Sequence, residues 1–502
     1  MTQEASRTFD LSSVDDYATF LRAKACPRVR FEGRTAFIPQ EYAGAVFGEK
    51  RKRRKHTDWS APSWMFDYQK AITALAIRKQ KYCVFADCGL GKTPILLAFA
   101  QHAANVTGQK VLIVCPLMVV KQTVAEHQRF WPDAEPITRL AASELAEWCR
   151  TSASRGEVGI TNYDAIQDDT PSDALGGLVL DESSMLKSHY GKWGTSLLRM
   201  GQGIDWKMCC TGTPAPNDRI EYANHAVFMG AFPTVNAFLA RFFVNRGETQ
   251  NRWELKPHAL GAFYRALSDW CIFLTNPAVY GWQDNCGTLP PIHVHIENIP
   301  LTKEQREVAT EHTGMLVAAE PGGITGRTTM ARIAKGTYRG GDVPTMKYVH
   351  IHRLVDGWPD EQSIIWCLHN DEQERLASMF PDAANIDGAT PYEMRETLLD
   401  EFKAGRRRVL ISKPRVLGYG LNLQHVTRQV FSGLQDSYES FYQAVKRSNR
   451  YGSTKPLNVH IAMTELEMPM VQTVLSKRDR VARDTEEQER MFREFGGADA
   501  FR

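Results

Sequence analysis

The 502-residue sequence predicts an α/β protein with two parallel-sheet halves in one chain. Two observations carry that expectation. Between residues 60 and 215, short unbroken apolar runs alternate with helical stretches. A second alternating region follows the proline-marked segment TLPPIHVHIENIPLT at 288–302. Unbroken apolar runs suit strands covered by helices on both faces, whereas a strand with one wet face alternates polar and apolar residues.

Residues 1–58 are a lead-in of mixed character that closes on an unbroken basic run, Lys50, Arg51, Lys52, Arg53, Arg54 and Lys55. Such a run suits phosphate backbones or a nuclear address, and equally a solvated linker. Residues 59–218 hold five strands: YCVFAD (82–87), KVLIVCP (110–116), GEVGITN (156–162), GGLVLDE (176–182) and WKMCCTG (206–212). Residues 219–287 lose that rhythm and form a helical insertion or extension. YANHAVFMGAFPTVNAFLARFF and GAFYRALSDWCIFL read as helices whose aromatics belong to a core. Residues 288–475 resume it with SIIWCLH (363–369), RRVLISK (407–413), TRQVFSG (427–433) and LNVHIAM (457–463), separated by helices such as YEMRETLLDEFKAG. Residues 476–502 are highly charged and read as an exposed helix or a frayed tail.

Composition bounds the class. With 43% hydrophobic and 24% charged residues the chain is globular, not disordered. No apolar run reaches the length of roughly 18 residues that a membrane helix needs. The opening MTQEASRTFDLSSVDDY lacks the basic and apolar segments of a secretory signal, so a cytoplasmic location is expected. Ten cysteines without a C-x-x-C pair read as buried, reduced thiols. A net charge of +3 selects no partner.

The chemistry starts at ADCGLGKT, residues 86–93. A strand precedes it and an apolar helix follows, as a phosphate-binding loop requires. Ala86 stands where the usual pattern has its first glycine. Backbone N–H groups of Gly89, Leu90, Gly91, Lys92 and Thr93, with Cys88 beside them, can face one cavity, and the helix dipole adds positive potential. Lys92 can reach terminal phosphates, and the Thr93 hydroxyl can ligate Mg²⁺. The apolar strand GGLVLDE ends on Asp181 and Glu182, one acid to hold a metal and one to orient and deprotonate a water. In SYESFYQAVKRSNRYG, Arg447 and Arg450 are spaced i, i+3 on one predicted helical face, with Gly452 as its stop; paired guanidinium groups stabilise a transferring phosphoryl group. In CCTGTPAPN, Thr211 and Thr213 flank Gly212 as a relay or a hydrogen-bonded turn. In MFDYQK, 23 residues before Lys92, Gln69 can read an adenine edge, with Tyr68 or Phe66 packed on the ring.

In this order the five elements resemble superfamily 2 helicases, and more narrowly the Swi/Snf-type double-stranded DNA translocases. Further segments match: VCPLMVVKQTVAEHQRFWP, TNYDAI, DESSMLKS, TGTPAPN, LPPIHVHIENIPLTKEQREV, LGYGLNLQHV and QAVKRSNRYGSTKPLNVH. The resemblance spans roughly residues 60 to 465. It implies two RecA-like lobes with ATP and Mg²⁺ in the cleft between them and duplex DNA lying across both, held through phosphates. Gly420 would then lie near the nucleotide, and Ser184, Thr211, Thr213 and Gln443 would couple its state to DNA. The sequence departs where Ser184 and Asn449 replace histidines and Pro216 replaces a glutamine. The acids, Lys92 and both arginines are intact, so hydrolysis is expected with coupling altered. The compact chain, without a recognisable reader module, points to a bacterial or phage source. The expected activity is DNA-stimulated ATP hydrolysis driving translocation on duplex DNA. The competing expectations are a strand-separating or branch-migrating helicase and an ATP-gated scaffold with negligible turnover.

Overall fold

The computed structural model describes residues 6–10, 17–25, 29–39, 46–47, 59–153, 155–187, 192–247, 253–284, 289–313, 323–417, 421–434, 437–450 and 452–494. The basic run at 50–55 and Gly420 lie outside these residues. The chain forms two compact units, one of Met1–Asn285 with Arg483–Arg502, the other of Cys286–Ala482.

The first unit opens with a small antiparallel sheet of β1 (Ser6–Asp10), β2 (Arg30–Glu32) and β3 (Thr35–Pro39), in the order β1-β3-β2. Its main sheet contains β4 (Lys81–Ala86), β5 (Lys110–Cys115), β6 (Thr138–Arg139), β7 (Glu157–Asn162), β8 (Leu175–Asp181) and β9 (Trp206–Cys210). A hairpin, β10 (Phe243–Asn245) with β11 (Trp253–Leu255), precedes the last member, β12 (Cys271–Leu274). The order is β12-β4-β9-β8-β5-β7-β6, and every neighbouring pair is parallel. Both faces are covered, so β5, β8 and β9 are buried throughout.

The region expected to be helical is only partly so. Helices Tyr222–Phe228, Val235–Phe242 and Leu260–Trp270 form, and Phe228, Phe238, Phe242, Phe263 and Trp270 join the core. CIFL, read with the helix before it, is instead the buried edge strand β12, paired with Cys83–Ala86 of β4. The chain passes from helix to strand at Cys271 with no glycine or proline to mark the change, and short apolar runs carry no period that separates the two.

The second unit is built on β13 (Ile292–Asn298), β16 (Ser363–Trp366), β17 (Ala384–Ile386), β18 (Val409–Ser412), β19 (Arg428–Phe431) and β20 (Leu457–Met463), with a two-residue hairpin, β14 (Thr337–Tyr338) and β15 (Gly341–Asp342), between the first two. Its order, β13-β20-β19-β16-β18-β17, is again all parallel. Each unit is thus a RecA-like parallel α/β lobe. Lys335 and Lys347, both buried, meet the two oxygens of buried Glu467 at 3.1 and 2.6 Å in its interior.

Over its described part the charged tail is the expected helix, exposed on one face, and its other face is docked instead of frayed. Met468–Phe492 is one helix, and its residues from Arg483 onward belong to the first unit. There Asp484 pairs with Arg219, Gln488 bonds Tyr222, and Glu489 Oε1 accepts both the N–H and the hydroxyl of Thr275 at 2.7 Å. Phe492 is buried edge-on against Tyr280. Charge-rich composition concealed this, because the buried face uses paired carboxylates and amides in place of an apolar stripe. Among the described residues no helix is long and apolar enough to cross a membrane.

Candidate nucleotide site

β4 ends at Ala86, which is not among the residues of positive φ, so this position needs no glycine. The turn that follows needs two. Gly89 and Gly91 lie in the left-handed region at φ 89° and 66°. A Cβ on Gly91 would fall 2.1 Å from Gln69 Nε2. The bare backbone lets that amide reach the loop, while Gln69 Oε1 accepts the Phe66 N–H at 3.0 Å and caps the helix Asp67–Lys79. Tyr68 donates its hydroxyl to the Leu90 carbonyl at 3.1 Å. Tyr68 is only 1% exposed and braces the loop from behind, whereas Phe66, the other ring expected to pack on a base, is half-buried. Cys88 is buried, its N–H donating to Asp87 Oδ1 at 2.6 Å.

Lys92 opens the helix Lys92–Thr107, whose N-terminus gives the loop a positive end. Its ammonium folds back onto the carbonyls of Ala86 and Asp87 at 3.0 and 3.3 Å. Burial pulls Lys92 down, but the acidic groups about it, the Cys88 thiol and the carboxyls of Glu182, Asp181 and Asp87, more than restore it, and it sits above the ordinary lysine value. No hydrogen bond engages the half-buried Thr93 hydroxyl among the described residues.

The acids come from β8, separated from β4 by β9 alone. Asp181 is its last residue. Glu182 follows at φ 51°, ψ 50°, a left-handed conformation that costs a non-glycine residue about 1–3 kcal/mol. The turn is held from several sides. Asp181 Oδ1 accepts the Glu182 N–H at 3.1 Å, and the Tyr163 hydroxyl donates to the Asp181 carbonyl at 2.7 Å. Burial, then the charge of Glu182, pushes the Asp181 carboxyl up to about 7, against the pull of Lys92.

The Thr211–Thr213 turn follows β9, between loop and acids. The Thr213 N–H donates to Thr211 Oγ1 at 3.1 Å, so the Thr211 proton is directed to Glu182 Oε2, 3.2 Å away. A Cβ on Gly212 would stand 3.4 Å from the Ala86 carbonyl, so this turn lies against the loop. Ser184 Oγ is buried with no hydrogen-bond partner among the described residues. Ser183 Oγ meets His225 Nε2 at 3.0 Å; burial pushes that imidazole down to about 4 against the pull of the Glu221 and Ser183 carbonyls. Neither Tyr163, although TNYDAI is one of the matching segments, nor His225 stands out as a site residue in the sequence, because neither belongs to a local pattern with the acids. Lys92, Asp181, Glu182 and Thr211 thus gather at the C-terminal ends of adjacent parallel strands, where open α/β sheets bind ligands.

In the second unit the arginines are not on a helical face. The helix Tyr438–Val445 ends before them, and Gly452 at φ 92° is seven residues past its end. Arg447 instead turns back on the helix, its Nε and second guanidinium nitrogen donating to the Gln443 carbonyl and Oε1 at 2.9 and 2.8 Å. Arg447 and Arg450 still converge, both donating to the Leu421 carbonyl at 3.4 and 3.2 Å. Asn449 is occupied by the Pro290 carbonyl at 2.7 Å.

Residues 61–339 match the SNF2-related domain, more than half of the chain. The chain belongs to the SNF2-related family. Residues 346–452 of this SNF2-related chain match the helicase conserved C-terminal domain. It is 24% identical over 422 residues to the mouse "DNA annealing helicase and endonuclease ZRANB3", covering 79% of this chain and 38% of that protein. It is 27% identical over 110 residues to the "ATP-dependent RNA helicase eIF4A" of Eremothecium gossypii, covering 21% of this chain and 28% of that protein. The chain therefore spans well under two thirds of these curated relatives. The crystal structure of the Pyrococcus furiosus Hef helicase domain aligns at 15% identity and a TM-score of 0.45, over 82% of this chain and 98% of that one. Membership implies, in general terms, an ATP-hydrolysing helicase class that uses Mg²⁺. The residues present fit a magnesium nucleotide: Gly89 and Gly91 turn the loop at positive φ into the N-terminus of the helix that Lys92 opens, and the buried Asp181 carboxyl and the Thr93 hydroxyl are hard oxygen donors of the kind Mg²⁺ takes.

Proposed function

We propose that this chain is a DNA-stimulated ATPase that translocates along double-stranded DNA from a cytoplasmic location. One observation carries the catalytic part: Lys92, Asp181 and Glu182 feel one another at the end of one sheet, with Glu182 oriented by Thr211. Loop amides and Lys92 bind the phosphates of ATP, Lys92 exchanging its two backbone carbonyls for phosphate oxygens. Thr93 and Asp181 would hold Mg²⁺, which would offset charge on the phosphates. Glu182 takes the proton of the attacking water at Oε1, because Thr211 occupies Oε2. Tyr68 and Gln69 hold the loop in shape. Arg447 and Arg450, kept together on one carbonyl, stabilise charge on the transferring phosphoryl group. The DNA part is supported by family membership and by the DNA annealing helicase activity named for the mouse relative.

The test is steady-state ATPase activity of the full chain alone, with duplex DNA, with single-stranded DNA and with RNA, beside Lys92→Ala. The expected result is strong stimulation by duplex DNA, abolished in the variant, followed by displacement of a triplex strand. Preference for single strands points to an unwinding helicase, preference for RNA overturns the DNA assignment, and absence of turnover under every condition leaves an ATP-gated scaffold.

A further inference from the structure

His225 lies at the junction of the acid turn and the strand that leads into the phosphate loop. It sits on the helix Tyr222–Phe228 and is fully buried, as is Ser183. Its Nε2 is 3.0 Å from Ser183 Oγ. Its ring stands edge-on against Phe85 at 5.2 Å and 86°, one residue before Ala86. The residue before it, Asn224, donates its amide to the Leu186 carbonyl at 2.5 Å. Two consecutive side chains of one helix therefore grip both ends of the turn Ser183–Leu186, and this turn accepts its own first hydrogen bond at the Glu182 carbonyl, from the Met185 N–H at 3.2 Å.

Glu182 needs such a grip. Its left-handed backbone relaxes unless its surroundings over-determine it. Upstream it is fixed by Asp181 and Tyr163, and its carboxylate is fixed by Thr211. Downstream the anchors of the turn are Ser183–His225 and Leu186–Asn224. An imidazole is suited to this place because it is rigid, has two torsions to fix, and offers one ring nitrogen to the hydroxyl while its edge packs against an aromatic strand residue.

We infer that His225 is a positioning residue for ATP hydrolysis, holding the turn that presents Glu182 to the attacking water through Ser183. The inference rests on the proposed function. It assigns His225 no contact with nucleotide, so ATP binding and turnover separate in its variants.

The experiment measures kcat and KM for ATP with duplex DNA present, direct nucleotide binding, and Tm, for wild type, Ser183→Ala, His225→Leu, His225→Gln and the double variant Ser183→Ala/His225→Leu. Loss of one oriented hydrogen bond at the turn is expected to lower kcat about tenfold in Ser183→Ala and in His225→Leu, with KM and nucleotide affinity within about twofold of wild type. The double variant is expected to fall no further than either single one, since both break the same link. His225→Gln, whose amide reaches the place of Nε2, is expected to recover most of kcat. Unchanged kcat in Ser183→Ala overturns the inference. So does additivity in the double variant, or a fall in nucleotide affinity and Tm that parallels kcat and is not recovered by Gln, which marks His225 as a packing residue only. A wild type without turnover overturns the proposed function first, and the positioning role with it; a wild type with turnover and indifferent variants overturns the positioning role alone.

Discussion

Glu182 combines a left-handed backbone with a carboxylate that, among the described residues, is bonded on one oxygen only. Glu182→Gln keeps the size and the Thr211 contact at Oε and removes the proton acceptor. Turnover is expected to fall by about 10²–10⁴-fold while nucleotide binding persists, as read by steady-state ATPase beside equilibrium titration. Lys207 supplies a pH signature remote from the nucleotide. Burial, then the charge of Lys81, pushes its ammonium down to about 8, although Nζ donates to the Gly201 carbonyl. Below pH 8 both folded and unfolded chains carry that proton, and above the ordinary lysine value neither does. Between them the unfolded chain binds more protons, so this group makes stability rise with pH from about 8 toward 10.5. Lys207→Met is expected to raise Tm at neutral pH and to flatten that rise, measured by thermal melts at several pH values. At this scale the lysine, the two acids and the threonines were legible, because phosphate chemistry demands those residue types beside loop glycines. His225 and Tyr163 were not, since their partners lie 42 and 18 residues away and only the sheet brings them together.

Elements were legible in proportion to their burial. YCVFAD, KVLIVCP and GGLVLDE are central strands and read as such, within a residue or two of β4, β5 and β8. IHVHIEN did not, since β13 is an edge strand with nearly every residue exposed, and its alternating sequence lacks the apolar run that marks a covered strand. β17 has three residues, too few to show any period. The arginine segment failed for another reason. Its helical pattern continues past Val445, but the Gln443–Arg447 bonds close the chain into turns and take the place of further helix. The phosphate loop is the element whose shape depends most on one atom. Gly91→Ala adds a Cβ at positive φ and drives Gln69 off its Phe66 cap. It is expected to destabilise the unit by about 1–2 kcal/mol and to weaken ATP binding. Gly91→Ala/Gln69→Ala is expected to regain the steric part of the affinity and not the cap, as checked by melting and nucleotide titration.

At the scale of the whole molecule, two lobes of one architecture are carried by one chain, and the first includes both chain ends of the described fold. Removing residues 483–502 takes away the partners of Arg219, Tyr222 and Thr275. The first lobe is expected to melt about 5–10 °C lower for a loss of roughly 3 kcal/mol, with the second lobe's transition unmoved, in a calorimetric scan of the shortened protein beside the full chain. ATP affinity is expected to fall with the first transition.

The return of the last helix also sets an order of birth. During synthesis β4 leaves the ribosome early, but its sheet neighbour β12 arrives some 190 residues later, and the residues that seal Tyr222 and Thr275 follow only after the entire second lobe. The lobe that begins first is therefore completed last. The nascent chain carries an unsealed nucleotide lobe throughout translation of its neighbour, and a chain stalled anywhere before residue 489 leaves the Glu489–Thr275 link unmade.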